Sequence, residues 1–309
     1  MAGSRQLALL MALGCCAAAC CGGALAAAAP PPPSVATLVT MAKVSAAMYP
    51  PKGTLAGAVD GAFSDCARPH APRRGFQAAA AAEIAALLKA SPGDVTFFDL
   101  NVPAQAQFCH AAVVALTPSG AAAAGLPGSG PAAVVAFRGS SNIAAAAADL
   151  DKDSIPQQFR GKTVEVHKGF AASLLAPPAP NSCAMAGTGP VPDSCAAALQ
   201  AHLESLSKAA GGAGPLRVAV TGHSLGAAEA ALFALVLDGS PAKFAVTAYT
   251  YGQPKIGRGK GWRGVYDGPR GLSGRTFRVV HGADPVPMLA SACQTRFSTK
   301  EEYEQVRGD

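Results

Sequence analysis

The pentapeptide Gly222, His223, Ser224, Leu225, Gly226 sets one serine hydroxyl between two glycines, one residue after the apolar run LRVAV and running into GAAEAALFALVL, which starts at Gly226. Serine becomes a useful nucleophile when a sharp turn presents its hydroxyl at the start of a helix. There the first backbone N–H groups have no intrahelical partner and can hold a developing oxyanion. Such a strand, turn and helix elbow strains the serine backbone, and its neighbours must lack a Cβ for the two arms to close. The chemistry expected is acyl transfer, with Ser224 attacking an ester or related carbonyl through an exposed hydroxyl.

The surrounding pattern must build a sheet edge for that turn. Strand-like runs fall at 95–100, 109–116, 132–137, 164–166, 217–221, 245–250 and 276–281. Helices are expected from an N-cap at Ser34 to about Tyr49, with Val35, Leu38, Val39, Ala42 and Ala46 on one face, and at 77–89, 194–210 and 227–238. Strands alternating with helices predict an α/β fold with a mostly parallel central sheet covered by helices. Two segments rich in Pro, Gly and Ala, near 118–131 and 177–192, read as loop insertions without fixed structure beyond a disulfide.

The chain has 309 residues, half of them hydrophobic, enough for one full core after residues 1–29 are set aside. Those residues carry one charge, Arg5, then an apolar run and then small residues, the layout of a secretory signal peptide; an organelle transit peptide is the alternative. Residues 30–309 form the expected single domain. The net charge of +6 is spread along the chain without a basic stripe, which argues against nucleic acid as a partner. Of nine cysteines, Cys66, Cys109, Cys183, Cys195 and Cys293 lie beyond the leader. The expected pairs are Cys183 with Cys195 and Cys66 with Cys109, leaving Cys293 single. No CxxC spacing indicates a metal site.

Five segments, AFRGSSNIAAAAADL at 136–150, VHKGF at 166–170, TGHSLGAA at 221–228, YTYGQPKIG at 249–257 and FRVVHGADPVP at 277–287, resemble in order and spacing the fungal-type class 3 lipases. The resemblance covers roughly residues 36–303. It implies an α/β-hydrolase fold, a Ser, Asp, His triad in that chain order, hydrolysis of triacylglycerol or related acyl esters, and no cofactor or metal. The partners it implies are an acyl lipid substrate and a lipid–water interface. Residue by residue, Ser224 matches the nucleophile, Asp284 the triad acid and Ser140 the oxyanion residue, with the Leu225 N–H as second donor. His223 and His167 match positions whose role looks structural. The family's lid corresponds to 141–156, where Ile143 is the one bulky apolar residue before Leu150, so little area is available for interfacial activation.

In the family the catalytic histidine follows the acid by several tens of residues. Here the six histidines are His70, His110, His167, His202, His223 and His281, and none follows Asp284. Three expectations answer this: a last sheet element, helix and histidine lying beyond Asp309; a homologue that binds acyl lipid without cleaving it; or His281 as a substitute base.

Overall fold

In the computed structural model, which describes residues 32–49, 71–102, 107–126, 128, 130–140, 153–178, 193–212, 214–268, 271–282, 284–288 and 303–304, a six-stranded sheet organises the chain. Its strands are β1 (Val95–Val102), β2 (Gln107–Leu116), β3 (Ala132–Phe137), β6 (Leu216–His223), β7 (Phe244–Tyr251) and β9 (Thr276–Val279), adjacent in that order. β1, β2 and β3 pair antiparallel, and β3, β6, β7 and β9 pair parallel. All four parallel strands therefore end at one edge of the sheet, where the chain leaves His223 and Val279.

The reason these runs are strands is that both faces are covered. β3 is buried at all six positions, and such a strand is apolar throughout rather than alternating. One core packs Phe98, Leu100, Val113, Val135, Phe137, Val218 and Val220 under the helices α4 (Lys168–Leu175), α5 (Cys195–Ala209), α6 (Leu225–Asp238) and α7 (Gly259–Tyr266). A second core on the opposite face packs Ala112, Val114, Val134, Ala136, Ala219 and Tyr249 against α1 (Val35–Ala47), α2 (Ala71–Leu87) and α3 (Pro118–Ala123). α6 is buried almost all round, which accounts for its Ala-rich composition: small side chains let it lie close on the sheet. At its far end Asp238 pairs with Arg275 at 2.8 Å and with Arg160, placing cations at the negative end of the helix dipole.

Several expectations are corrected. Residues 164–166 are a strand, but not of the central sheet. β5 (Lys162–His167) joins β4 (Ser154–Phe159), β8 (Gly257–Arg258) and β10 (Tyr303–Glu304) in a separate antiparallel sheet of order β10, β8, β5, β4. The α1 face is also different: Val35 and Val39 are exposed, and Thr37, Met41, Val44 and Ser45 are buried. Polar side chains sit inward because they are bonded there, with Ser45 Oγ 2.8 Å from Thr221 Oγ1 on β6. The segment near 118–131 opens with a helical turn, α3, capped by Thr117 Oγ1 accepting from the Gly120 N–H at 3.1 Å. The lid expected to run to Pro156 gives way to β4 from Ser154. The leader at 1–29, the lid residues 141–152 and the segment 179–192 lie outside the described residues.

The disulfide expectation is overturned as well. Cys109 of β2 bonds to Cys195, the first residue of α5, across a sequence separation of 86. Sheet and helix stack face to face there, a proximity that spacing along the chain does not encode. Cys66, Cys183 and Cys293 lie outside the described residues. Closing so long a loop restricts the unfolded chain, so replacing both cysteines by serine (C109S/C195S) costs about 2–4 kcal/mol and lowers Tm by roughly 5–15 °C. Calorimetry of the double variant checks this; an unchanged Tm would contradict it.

Candidate active site

β6 ends at His223 and α6 begins at Leu225, so the whole turn is made by Ser224. Its backbone sits at φ 57° and ψ −125°, a conformation that costs of order 1–3 kcal/mol for a residue with a side chain. The neighbours hold it there. Its N–H donates to the Tyr251 carbonyl on β7 at 3.0 Å, and its own carbonyl accepts from the Ala227 N–H at 2.9 Å and the Ala228 N–H at 3.3 Å. The Ser224 hydroxyl makes no capping bond to the helix.

The two glycines are required by contact. A Cβ on Gly226 would stand 2.6 Å from the Phe137 carbonyl oxygen and 2.9 Å from the Gly139 nitrogen. A Cβ on Gly222 would run into the main chain of Gly226 and stand 2.8 Å from the Ala227 nitrogen. Without those side chains the elbow lies directly on the segment leaving β3. The expected exposed hydroxyl is instead recessed: Ser224 is 4% exposed.

That segment is Arg138, Gly139, Ser140. Ser140 is half-buried and follows Gly139, while Leu225 is the first residue of α6, where the N–H has no intrahelical acceptor. The oxyanion pair read from the sequence is thus brought to one place, on either side of the Gly226 contact. Tyr49, two residues past the end of α1, ties the arrangement together: its hydroxyl lies 3.0 Å from His223 Nδ1 and packs against Gly139, where an added Cβ would run into it. Burial pushes the Tyr49 phenol up to about 12, so it carries its proton at all ordinary pH values.

Asp284 lies on the loop after β9, at the same sheet edge as Ser224. Its N–H donates to the His281 carbonyl at 2.9 Å, and its Oδ1 accepts from the Val286 N–H at 3.0 Å, a local turn that fixes the carboxylate. Oδ2 faces Gly252, 2.9 Å from where a Cβ would be. Gly252 has φ +56°, a second reason for glycine there. The nearby Arg278 guanidinium donates to the Gln253 carbonyl at 2.9 Å; burial lowers its pKa and the Asp284 charge opposes that.

Of the histidines, His281 is exposed, and its contact with Asp284 is through the main chain. His223 is half-buried, and burial lowers its pKa while Asp284 raises it. His167 is buried and stacks on Phe170 at 4.2 Å between ring centroids. Tyr49 and Gly252 are not singled out by sequence reasoning. Tyr49 is separated from His223 by 174 positions, and a tyrosine before a proline carries no signal of such a contact.

A family model described as Lipase (class 3) matches residues 134–293, just over half of the chain. The protein belongs to the class 3 lipase family, with the α/β-hydrolase fold described above. Among curated proteins it is similar to phospholipase A1-II 6 of Oryza sativa subsp. japonica, 40% identical over 88 residues, which is 25% of this chain and 21% of that protein. It is also similar to the secreted mono- and diacylglycerol lipase 1 of Fusarium solani, 37% identical over 106 residues, 33% of this chain and 29% of that protein. The matched regions span under a third of the length of either relative. Among solved structures it resembles M37 lipase in fold, with a TM-score of 0.50 at 16% identity over 81% of this chain and 68% of that one.

Proposed function

We propose that the protein is a secreted serine hydrolase that cleaves carboxylic esters of acyl lipids, with Ser224 as nucleophile. The observation that carries this is the strained Ser224 at the head of α6, in an elbow closed by the contact of Gly222 on Gly226 and laid by Gly226 on the segment that bears Ser140. Ser224 Oγ attacks the ester carbonyl carbon, and its proton passes by way of the base to the departing alcohol as the C–O bond breaks. Water then releases the fatty acid from Ser224; the oxygen that gains charge in each step is received by the Leu225 N–H and by Ser140. Donors that are in place before the charge appears need no reorganisation, and removing one typically costs about 100- to 1000-fold in rate. Asp284 is assigned as the acid that orients the base taking the Ser224 proton. The relatives named for phospholipid and for mono- and diacylglycerol support acyl glycerols as the substrate class. The Cys109–Cys195 bond supports an oxidising compartment and hence secretion.

The test is hydrolysis of mono-, di- and triacylglycerol emulsions and of phosphatidylcholine vesicles by the purified chain beside Ser224→Ala. Fatty acid release by the wild type that falls by a factor of about 1000 or more in S224A is the expected outcome. Vesicle binding without release by either protein would instead establish a lipid-binding homologue that does not cleave.

A further inference from the structure

We infer that Tyr49 and His223 are positioning residues that clamp three separate parts of the site, the Gly139–Ser140 segment, the Ser224 elbow and the Asp284 loop, into one unit. The inference rests on the roles just proposed for Ser224, Ser140 and Asp284. The clamp starts at the Tyr49 hydroxyl. It packs against Gly139, where an added Cβ would run into it, and stands 3.0 Å from His223 Nδ1 and 3.3 Å from the His223 carbonyl oxygen. A hydroxyl has one proton to give, and the nearer acceptor is Nδ1.

An Nδ1 that accepts leaves the neutral ring protonated at Nε2. This second nitrogen points the other way, to the Gly252 side, 3.6 Å from where a Gly252 Cβ would lie. The same spot is 2.9 Å from Asp284 Oδ2. His223 therefore presents an N–H edge towards the carboxylate across the open face of Gly252, while Asp284 Oδ1 is held by the Val286 N–H. The Tyr49 and His223 rings meet edge-on at 5.8 Å and 67°, so packing and hydrogen bonding fix the same orientation.

Although His223 precedes the nucleophile, both of its nitrogens are directed elsewhere: one to Tyr49, one towards Asp284. It acts by holding, without taking the Ser224 proton. The separation of roles has a sharp chemical consequence. A glutamine side chain can reproduce both edges of the clamp, with its carbonyl oxygen accepting from Tyr49 and its amide N–H facing Asp284, but it cannot act as a base.

The experiment measures the rate at which a fluorophosphonate labels Ser224 in the full chain, for wild type, Tyr49→Phe, His223→Leu and His223→Gln, with folding followed by near-UV circular dichroism. Misplacement by about 1 Å costs on the order of 100-fold. Y49F and H223L should therefore lose roughly 10- to 100-fold in labelling rate with the fold intact, and H223Q should stay within about threefold of wild type. Equal rates in all four proteins overturn the clamp, and so does an H223Q rate as low as that of H223L, the mark of a base. Should the wild type take no label, the hydrolase reading fails by itself. The clamp is then decided by the ¹⁵N signals of the His223 ring, which must show unprotonated Nδ1 in the wild type and a tautomer mixture in Y49F; an unchanged tautomer overturns it. Should Y49F not fold, the H223L and H223Q pair decides between holding and proton transfer in the same way.

Discussion

Gly222→Ala is expected to abolish ester hydrolysis and to destabilise the protein more than any other single methyl group added at the sheet edge. The added carbon has nowhere to go. It meets main-chain atoms of Gly226 and the Ala227 nitrogen at 2.8 Å, and these belong to the first turn of α6, a helix buried almost all round. Backbone cannot rotate aside as a flexible side chain would, so the strand and helix arms must part. Overpacking of this kind costs about 1–3 kcal/mol or more. Displacing the Leu225 N–H and Ser224 from a common target adds a loss of about 100-fold or greater in rate. Assay of fatty acid release together with chemical denaturation checks both parts. Activity within a fewfold of wild type would mean that the two arms are not closed as described.

Glu229→Leu is expected to raise stability, and to raise it more at higher pH. Glu229 lies on α6 just past the elbow, fully buried, and burial pushes its carboxyl up to about 8. The neighbouring Ser173 opposes this only in part, its hydroxyl donating to the Phe170 carbonyl at 3.1 Å. Neither carboxyl oxygen has a hydrogen-bond partner among the described residues. The folded value lies above the unfolded one, 4.5. The native state therefore keeps a proton that the unfolded chain releases between those two pH values. Stability from this group is complete below about pH 4.5, declines as pH rises and is lost by about pH 8. At 1.36 kcal/mol per unit the loss reaches about 3 kcal/mol near pH 7 and about 5 kcal/mol above pH 8. Denaturation of wild type and E229L across about pH 5 to 9 should show a difference that widens to about pH 8 and then levels. A difference independent of pH would contradict the assignment.

Much of this architecture is legible in the chain because its central strands are buried on both faces. Runs such as AAVVAF and LRVAV have no polar alternation to mislead, and they emerge as β3 and β6 where expected. The elbow is legible for a different reason: its strain demands glycine at 222 and 226, and that demand is written in residue types. β4 is not legible, since SIPQQF holds a proline and two glutamines and lies in a small sheet with several positions half-buried or exposed. Nor is α7, where only Trp262, Val265 and Tyr266 mark the inner face among three glycines. The buried side of α1 is hidden because it is polar in part and satisfied by a partner on β6. Contacts between elements far apart in sequence, the Cys109–Cys195 bond and the Tyr49 hydroxyl on His223, leave no pattern within either segment. The loop bearing Asp284 is marked by the residue order around it; its approach to Gly252 is visible only in three dimensions.

The central claim is that Ser224 is a nucleophile with oxyanion donors already in place. Oxyanion donors and binding alone supply on the order of 1000- to 10000-fold over water even when a triad member is removed, so a reactive phosphorus electrophile reads the elbow directly. Incubating the purified chain with a fluorophosphonate and locating the adduct by peptide mass spectrometry should place one label per molecule on Ser224, with none on Ser224→Ala. A folded wild-type chain that takes no label at Ser224, or takes it equally on other serines, would contradict the claim.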